Sequence, residues 1–144
     1  MIVRFTVPGP PVAKGRPRMT TRGGHARAYT PAKTVAYEGL VALAGQTAMA
    51  GRELIAGPVH LIITATFAIP KSWTKKATAA ALAGVAWHTG KPDGDNILKA
   101  IGDGLNGIVW QDDSQVVIAK VVKQYGATPG VDVLVEGLIN AVHG

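Results

Sequence analysis

Five of the nine acidic residues lie close together in the chain, although the protein carries a formal net charge of +6. These residues are Asp93, Asp95, Asp103, Asp112 and Asp113. Mutual repulsion disfavours such a cluster unless lysines, helix termini or bound metal ions offset it. Hard cations such as Mg²⁺ bind carboxylate oxygens and keep several waters for substrate phosphates. Because metal ions can activate water and stabilise the leaving oxygen in phosphodiester cleavage, that reaction is the chemistry this cluster favours.

The same acids also have a structural interpretation, in which they cap and brace a helix. A helix that begins near Asn96 would have an apolar side formed by Ile97, Leu98, Ile101 and Leu105. Its polar side would carry Asp95, Asn96, Lys99 and Asp103. Asp93 or Asp95 would then cap the helix, and acid–lysine pairs four residues apart would form ordinary salt bridges.

Three details weigh against the structural interpretation. One carboxylate suffices as a cap, so the second of Asp93 and Asp95 needs another reason. Gly94 between them lets the backbone adopt conformations that other residues avoid. Asp112 and Asp113 are adjacent before a predicted strand, where like charges are costly unless they are solvated or neutralised by a cation.

Other catalytic and metal-binding motifs are absent from the sequence. The D-G-D-N stretch lacks the third oxygen ligand and following glycine of a calcium-binding EF-hand loop, and G-K-P-D-G-D lacks the G-K-[ST] of a P-loop. The chain contains no cysteine and only scattered histidines, which excludes disulfides, thiolate zinc sites and cysteine catalysis. Any metal must therefore be bound by oxygen or histidine.

The N-terminal quarter of the chain is purely cationic. Its basic residues before the first acid, Glu38, are Arg4, Lys14, Arg16, Arg18, Arg22, Arg27 and Lys33. Most of them fall in a Pro-, Gly- and Arg-rich loop that reaches about Thr30, and a loop of this length suggests function. This distribution suits a polyanion such as nucleic acid, but a solvated basic surface would have the same composition.

The composition predicts one α+β domain over residues 1–144. The 144 residues are 47% hydrophobic and 17% charged, which is typical of a globular chain. No apolar run reaches the roughly 20 residues needed to span a bilayer, and no signal peptide is evident. We therefore expect a soluble, cytoplasmic protein with no membrane association.

The element order predicted from hydrophobic periodicity is β-α-β-α-α-β-β, a two-layer α/β arrangement with a mixed sheet. Strands are predicted from Ile2, Val59, Val116 and Val131, with the strand from Val59 in the centre of the sheet. The first helix runs from a Thr30 cap to about residue 50 and buries Val35, Leu40, Val41, Leu43 and Ala44. The second helix is capped by Ser72 or Thr74 and ends near Gly84.

The segment KPDGDNILKAIGDGLNGIVWQDDSQV, residues 91–116, closely resembles the core motif of the RusA family of Holliday junction resolvases. GPPVAKGRPR and AYTPAKTVAYE resemble the opening segments of the same family. The resemblance covers nearly all of the chain in the right order and is weakest over residues 51–90 and the last strand. It implies a RusA-like fold and a homodimer that nicks four-way DNA junctions symmetrically in recombination and repair.

The resemblance also implies roles for individual residues. Asp93, Asp95 and Asp113 would bind Mg²⁺, or Mn²⁺ in its place, with Asp112 assisting. Lys99 would act with them as a catalytic residue at the scissile phosphate. The basic loop would contact DNA through Lys14, Arg16, Arg18, Arg22 and Arg27. Two alternatives stay open, which are a branched-DNA-binding protein that does not cleave and a flap or single-strand nuclease.

Overall fold

The structure, a computed structural model, describes residues 1–15 and 17–140. Arg16, which is predicted to contact DNA, lies outside the described residues. The strands are β1 (Ile2–Pro8), β2 (Arg18–Thr20), β3 (Arg27–Tyr29), β4 (Val59–Ala68), β5 (Val116–Gly126) and β6 (Gly130–Gly137). The helices are α1 (Ala32–Met49), α2 (Lys75–Leu82), α3 (Gly94–Leu105) and a short 3₁₀ helix, η1 (Asp113–Gln115).

The four long strands form one mixed sheet in the order β1-β6-β4-β5. Strand β6 is antiparallel to both β1 and β4, whereas β5 is parallel to β4. A parallel pair needs a long crossover connection, and here helices α2 and α3 lie in the crossover between β4 and β5. The mixed sheet with helices confirms the predicted α+β class and the interior position of β4.

The chain order differs from the prediction in the basic loop. Strands β2 and β3 pair there with each other, in antiparallel register from Arg18↔Tyr29 to Thr20↔Arg27. Each strand has only three residues, and all but Thr20 are exposed. Strands this short and this exposed leave no alternating pattern in the sequence, so the segment was predicted as a loop.

Helix α1 forms where predicted, but its cap was predicted wrongly and its buried side only partly correctly, since Val41 is buried and Ala44 half-buried as expected. The helix begins after Pro31 with no side-chain hydrogen bond at its N-terminus, so Thr30 is not a cap. Val35, Leu40 and Leu43 are 54%, 52% and 62% exposed, respectively. The buried side is instead formed by Thr34, Tyr37, Val41, Gly45 and Met49. Because this helix has apolar residues on all sides, its periodicity does not identify the face that packs.

Helices α2 and α3 follow their predicted patterns. Thr74 caps α2 by accepting a hydrogen bond from the Ala77 N–H at 3.1 Å. Helix α3 begins at Gly94, two residues before the predicted start. Its predicted apolar side is confirmed, since Ile97, Ile101 and Leu105 are buried and Leu98 is half-buried. None of the helices in the part of the chain that the structure describes is both long and apolar enough to span a membrane.

Glycines allow α1 and α3 to approach each other closely. A Cβ atom on Gly104 would lie 2.8 Å from the Val41 side chain and 3.1 Å from the Glu38 carbonyl oxygen. A Cβ atom on Gly45 would lie 2.7 Å from Leu105 Cδ2. The contact between the two helices therefore depends on positions without a side chain.

Gly104→Ala should destabilise the protein, because the added methyl group must displace Val41 or the backbone of α1. We expect a loss of about 1–3 kcal/mol in the free energy of unfolding. Gly39→Ala is the matched control, since Gly39 is exposed on α1 with no atom within 4 Å of an added Cβ. That control should gain about 0.5–1 kcal/mol from helix propensity. Denaturant unfolding measures the free energy of unfolding of both variants. Equal changes in the two variants would contradict the close packing at Gly104.

Candidate active site

One polar face of α3 borders a cavity of about 430 Å³. Asp95, Lys99 and Asp103 line this cavity from α3, because residues four apart on a helix share one face. Asp113 lines it from η1, which follows α3 in the chain. The apolar part of the wall is formed by Leu61, Leu98, Trp110, Val116 and Ala119. We call this space the acidic cavity.

The position of Asp113 is fixed by a buried tryptophan. Trp110 has no exposed surface, and its indole Nε1–H donates to Asp113 Oδ1 at 3.0 Å. Gly102 of α3 lies next to this carboxylate, since a Cβ atom on Gly102 would be 3.9 Å from Asp113 Oδ1. This hydrogen bond engages one carboxylate oxygen of Asp113. The second oxygen has no hydrogen-bond partner among the described residues.

Gln115 organises the turn that carries Asp113. Its side-chain oxygen accepts hydrogen bonds from the N–H groups of Gln111 and Asp112 at 2.9 and 3.0 Å. Its amide nitrogen donates to the carbonyl oxygens of Ile55 and Gly57 at 2.6 and 2.9 Å. Gln115 is not among the residues predicted for the site, although Asp112 and Gln115 have the D-x-x-Q spacing of a capping box.

Asp112 acts as the cap of η1 rather than as part of the acidic cavity. Its Oδ1 accepts from the Ser114 N–H at 3.2 Å, and its side chain does not line the cavity. Asp113, and not Asp112, is therefore the member of the acidic pair that faces α3.

Asp93 lies on a different side of α3 from Asp95. Its Oδ1 accepts a hydrogen bond from the Asn96 N–H at 3.0 Å, which makes Asp93 the N-cap of α3. Asp93 is the N-cap residue before Gly94, its backbone is extended, and it does not line the acidic cavity. Asp93 lines a second, larger cleft that also contains basic side chains. The structure thus brings together Asp95, Lys99 and Asp113 but not Asp93.

The ammonium group of Lys14 is engaged inside the protein. It donates to Glu38 Oε1 at 2.5 Å and lies 3.1 Å from Asp103 Oδ2. The side chain is only 16% exposed, so this predicted DNA contact is not a free surface cation. The hydrogen bond to Glu38, followed by the bond to Asp103, raises the pKa of Lys14 against the effect of burial. Lys14 offsets the charge of Asp103 in the acidic cavity.

Backbone hydrogen bonds fasten the segment around Lys14 to both helices. The Lys14 N–H donates to the Asn96 carbonyl oxygen of α3 at 3.1 Å. The Gly15 N–H donates to Thr34 Oγ1 of α1 at 2.9 Å. Together with the ion pairs of Lys14, these bonds fix the start of the basic loop against the helices that border the candidate site.

The remaining predicted DNA contacts lie on or beside the β2–β3 sheet. Arg18 begins β2 and lines the second cleft. Arg22 and Arg27 border one surface depression with Thr20 and Tyr29. All three arginines are exposed, so their guanidinium groups are accessible to phosphates.

The acidic cavity suits a divalent cation through carboxylate oxygens. Asp95 makes no hydrogen bond or ion pair with any described residue, and Asp113 keeps one oxygen free. In residues 1–15 and 17–140, no three His, Asp or Glu side chains form a complete metal site by themselves. Mg²⁺ is commonly held by one or two carboxylates, with waters and substrate phosphates completing its coordination. Asp95 and Asp113 fit that pattern.

Comparison with known proteins identifies the family of the chain. Residues 8–136 match the family described as endodeoxyribonuclease RusA. The chain is also 39% identical over 135 residues to the uncharacterized protein YqaN of Bacillus subtilis (strain 168), covering 92% of this chain and 94% of that protein. The match runs from Pro8 at the end of β1 to Glu136 in β6 and includes every residue of the acidic cavity. The chain therefore belongs to the RusA endodeoxyribonuclease family.

Proposed function

We propose that this nuclease is a metal-dependent endonuclease that resolves four-way (Holliday) DNA junctions by paired symmetric nicks in recombination and repair. The observation that carries the proposal is the convergence of Asp95, Lys99 and Asp113 on one cavity. These residues come from two elements that the fold brings together, and they have the types that phosphodiester cleavage requires. Membership of the RusA family supports junction DNA as the substrate.

Each residue of the acidic cavity has a distinct task in this proposal. Asp95 and Asp113 would hold Mg²⁺, or Mn²⁺ in its place, with the second oxygen of Asp93 as a further ligand, and the ion would supply activation of water and stabilisation of the leaving oxygen. Lys99 forms no ion pair with Asp95 or Asp103 in the described part of the chain, so its ammonium group is available to the scissile phosphate. The apolar wall strengthens these electrostatic interactions by excluding water.

The proposed active form is a homodimer. Two paired nicks need two active sites, and a two-fold axis places identical sites on symmetric strands of a four-way junction. Sedimentation of the free protein and of its junction complex measures this state.

One observation favours a branched-DNA-binding protein that does not cleave. Four of the five clustered acids have a structural partner, because Asp93 and Asp112 cap helices, Asp103 pairs with Lys14 and Asp113 binds Trp110. Asp95 is the acid of the cluster that has no structural partner among the described residues. Assays of cutting on four-way, flap, single-stranded and linear DNA separate this alternative, and the flap or single-strand nuclease, from a resolvase.

Asp95→Asn and Asp113→Asn should each abolish cleavage of a labelled four-way junction. An amide keeps the shape of the side chain, and at position 113 it keeps an acceptor for Trp110, but it removes the negative charge that holds a cation. We expect the rate to fall on the order of 100-fold or more, the scale on which one electrostatic group contributes to catalysis. Single-turnover assays with Mg²⁺, Mn²⁺ or EDTA, resolved on denaturing gels, measure the rate.

Asp132→Asn is the matched control for these variants. Asp132 is exposed on β6, where it accepts a hydrogen bond from Thr6 at 2.6 Å, and it does not line the acidic cavity. The control should cut at the wild-type rate. Wild-type cutting by Asp95→Asn, or cutting by the wild type in EDTA, would rule out the proposed cation site.

Asp93→Asn tests whether Asp93 is a metal ligand in addition to a cap. Asparagine caps helices about as well as aspartate, so the free energy of unfolding should change by less than about 0.5 kcal/mol. Cleavage should nevertheless fall on the order of 100-fold, because the carboxylate charge is lost. Thermal unfolding and the junction assay measure the two effects separately. A stable variant that cuts normally would restrict Asp93 to its capping role.

A further inference from the structure

The second cleft is lined by three cations from separate parts of the chain. Arg18 comes from β2, Lys33 from the first turn of α1, and Lys91 from the segment before α3. None of the three forms an ion pair with a described residue, and the cleft has a volume of about 830 Å³. Asp93 is the carboxylate among its lining residues, and one oxygen of Asp93 is occupied by the Asn96 N–H. We call this space the basic cleft.

Among the described residues, the apolar part of the wall of the basic cleft is formed mainly by prolines and contains no aromatic ring. Pro11, Pro17, Pro31 and Pro92 line it together with Val12. Proteins that hold single strands through their bases stack those bases on aromatic side chains, and no such platform lines this cleft. Asn96 is the side-chain amide among the lining residues. The composition therefore suits a sugar-phosphate backbone rather than base edges or faces.

The basic cleft is preformed by close packing at its base. A Cβ atom on Gly15 would lie 2.7 Å from Thr34 Oγ1 and 2.9 Å from Pro31 Cγ, so only glycine lets this segment approach the start of α1. The Gly15 N–H bond to Thr34 and the ion pairs of Lys14 hold the segment in place. A preformed cleft needs little ordering when it binds a ligand.

The start of α3 separates the basic cleft from the acidic cavity. Asp93 and Asn96 line the cleft, whereas Asp95 and Lys99 line the cavity. A DNA strand that crosses the first turn of α3 therefore meets both sites in succession. Phosphates on one side of that turn would face three cations, and a phosphate on the other side would face Lys99 and the carboxylates.

We infer that the basic cleft binds the sugar-phosphate backbone of the strand next to the scissile phosphate, through Arg18, Lys33 and Lys91 and without reading base sequence. This inference rests on the proposed nuclease function, which it extends by naming the surface that holds the strand. Lys33 and Lys91 were not among the DNA contacts predicted from the sequence, and Lys91 is the basic residue of the cleft nearest to α3 in the chain.

The test is the double variant Lys33→Gln/Lys91→Gln, measured for binding to a fluorescent four-way junction in EDTA at several salt concentrations. Each lost phosphate contact should lower the slope of log K against log salt by about 0.9, so the double variant should lose about 1.8. The Kd near 100 mM salt should rise about tenfold or more, equally for junctions of different sequence.

Lys75→Gln/Lys76→Gln is the matched control. Both lysines are exposed in the first turn of α2 and do not line the basic cleft, and their removal lowers the net charge by the same amount. The Kd of this control should stay within about twofold of the wild-type value. Its slope of log K against log salt should stay close to that of the wild type. A cleft variant that behaves like the control would overturn the inference.

The outcomes separate this inference from the proposed nuclease. If the wild type cuts junctions and the cleft variant binds them like the control, only the cleft assignment fails. If the cleft variant loses affinity but the wild type cuts no DNA in any metal, only the nuclease proposal fails. If the wild type neither binds nor cuts junction DNA, both are wrong.

Discussion

Helix α3 packs against α1 at Gly104, where the absence of a side chain brings the helix within van der Waals distance of Val41 and the Glu38 carbonyl. The rest of the candidate site depends on this contact. It holds against α1 the helix that carries Asp95, Lys99 and Asp103 into the acidic cavity. It also places Asp103 within reach of Lys14, which Glu38 of α1 holds from the other side. A bulkier residue at position 104 would move α3 away from α1, and with it both Asp95 and the ion pair of Asp103 with Lys14.

The clustered acids show how a basic protein tolerates like charges at short range. Asp93 and Asp112 each accept a backbone N–H at a helix start, Asp103 faces an ammonium group, and Asp113 accepts from an indole. These partners reduce repulsion without a metal ion. A carboxylate has two oxygens, however, and each of these contacts engages one of them in Asp93 and Asp113. Structural and metal-binding roles are therefore compatible in the same side chain, and Asp95 is the acid for which no structural role is evident.

The two spaces on either side of the first turn of α3 differ in charge and in wall composition. The acidic cavity combines carboxylates with an apolar wall that includes Trp110, which suits a site where charges must act strongly on one phosphate. The basic cleft combines cations with prolines, which suits a longer stretch of backbone and provides no means of base recognition. In the proposed function, this adjacency lets the first turn of α3 orient a strand between the basic cleft and the acidic cavity.

The sequence by itself determined the features that depend on local pattern. The two-sided spacing of Ile97, Ile101 and Leu105 defined the buried side of α3, and the mostly apolar, β-branched run from Val59 identified the interior strand β4. Residues of the family motif also marked the candidate site, because the chemistry requires carboxylates and lysine at fixed spacing. The sequence pattern predicts these elements correctly because each has a buried face and a more exposed face that differ in polarity.

Only the tertiary structure decided which of these residues meet. Helix α1 is apolar on all sides, so its partner α3, and not its periodicity, selects the face that is buried. Asp95 and Asp113 converge because the crossover returns the chain from α3 to β5, while Asp93, as the N-cap before the first turn, lines the basic cleft. Lys14 points inward because Glu38 and Asp103, distant in sequence, offer it two carboxylates. Such contacts are set by long-range packing, for which a local sequence pattern carries no signal.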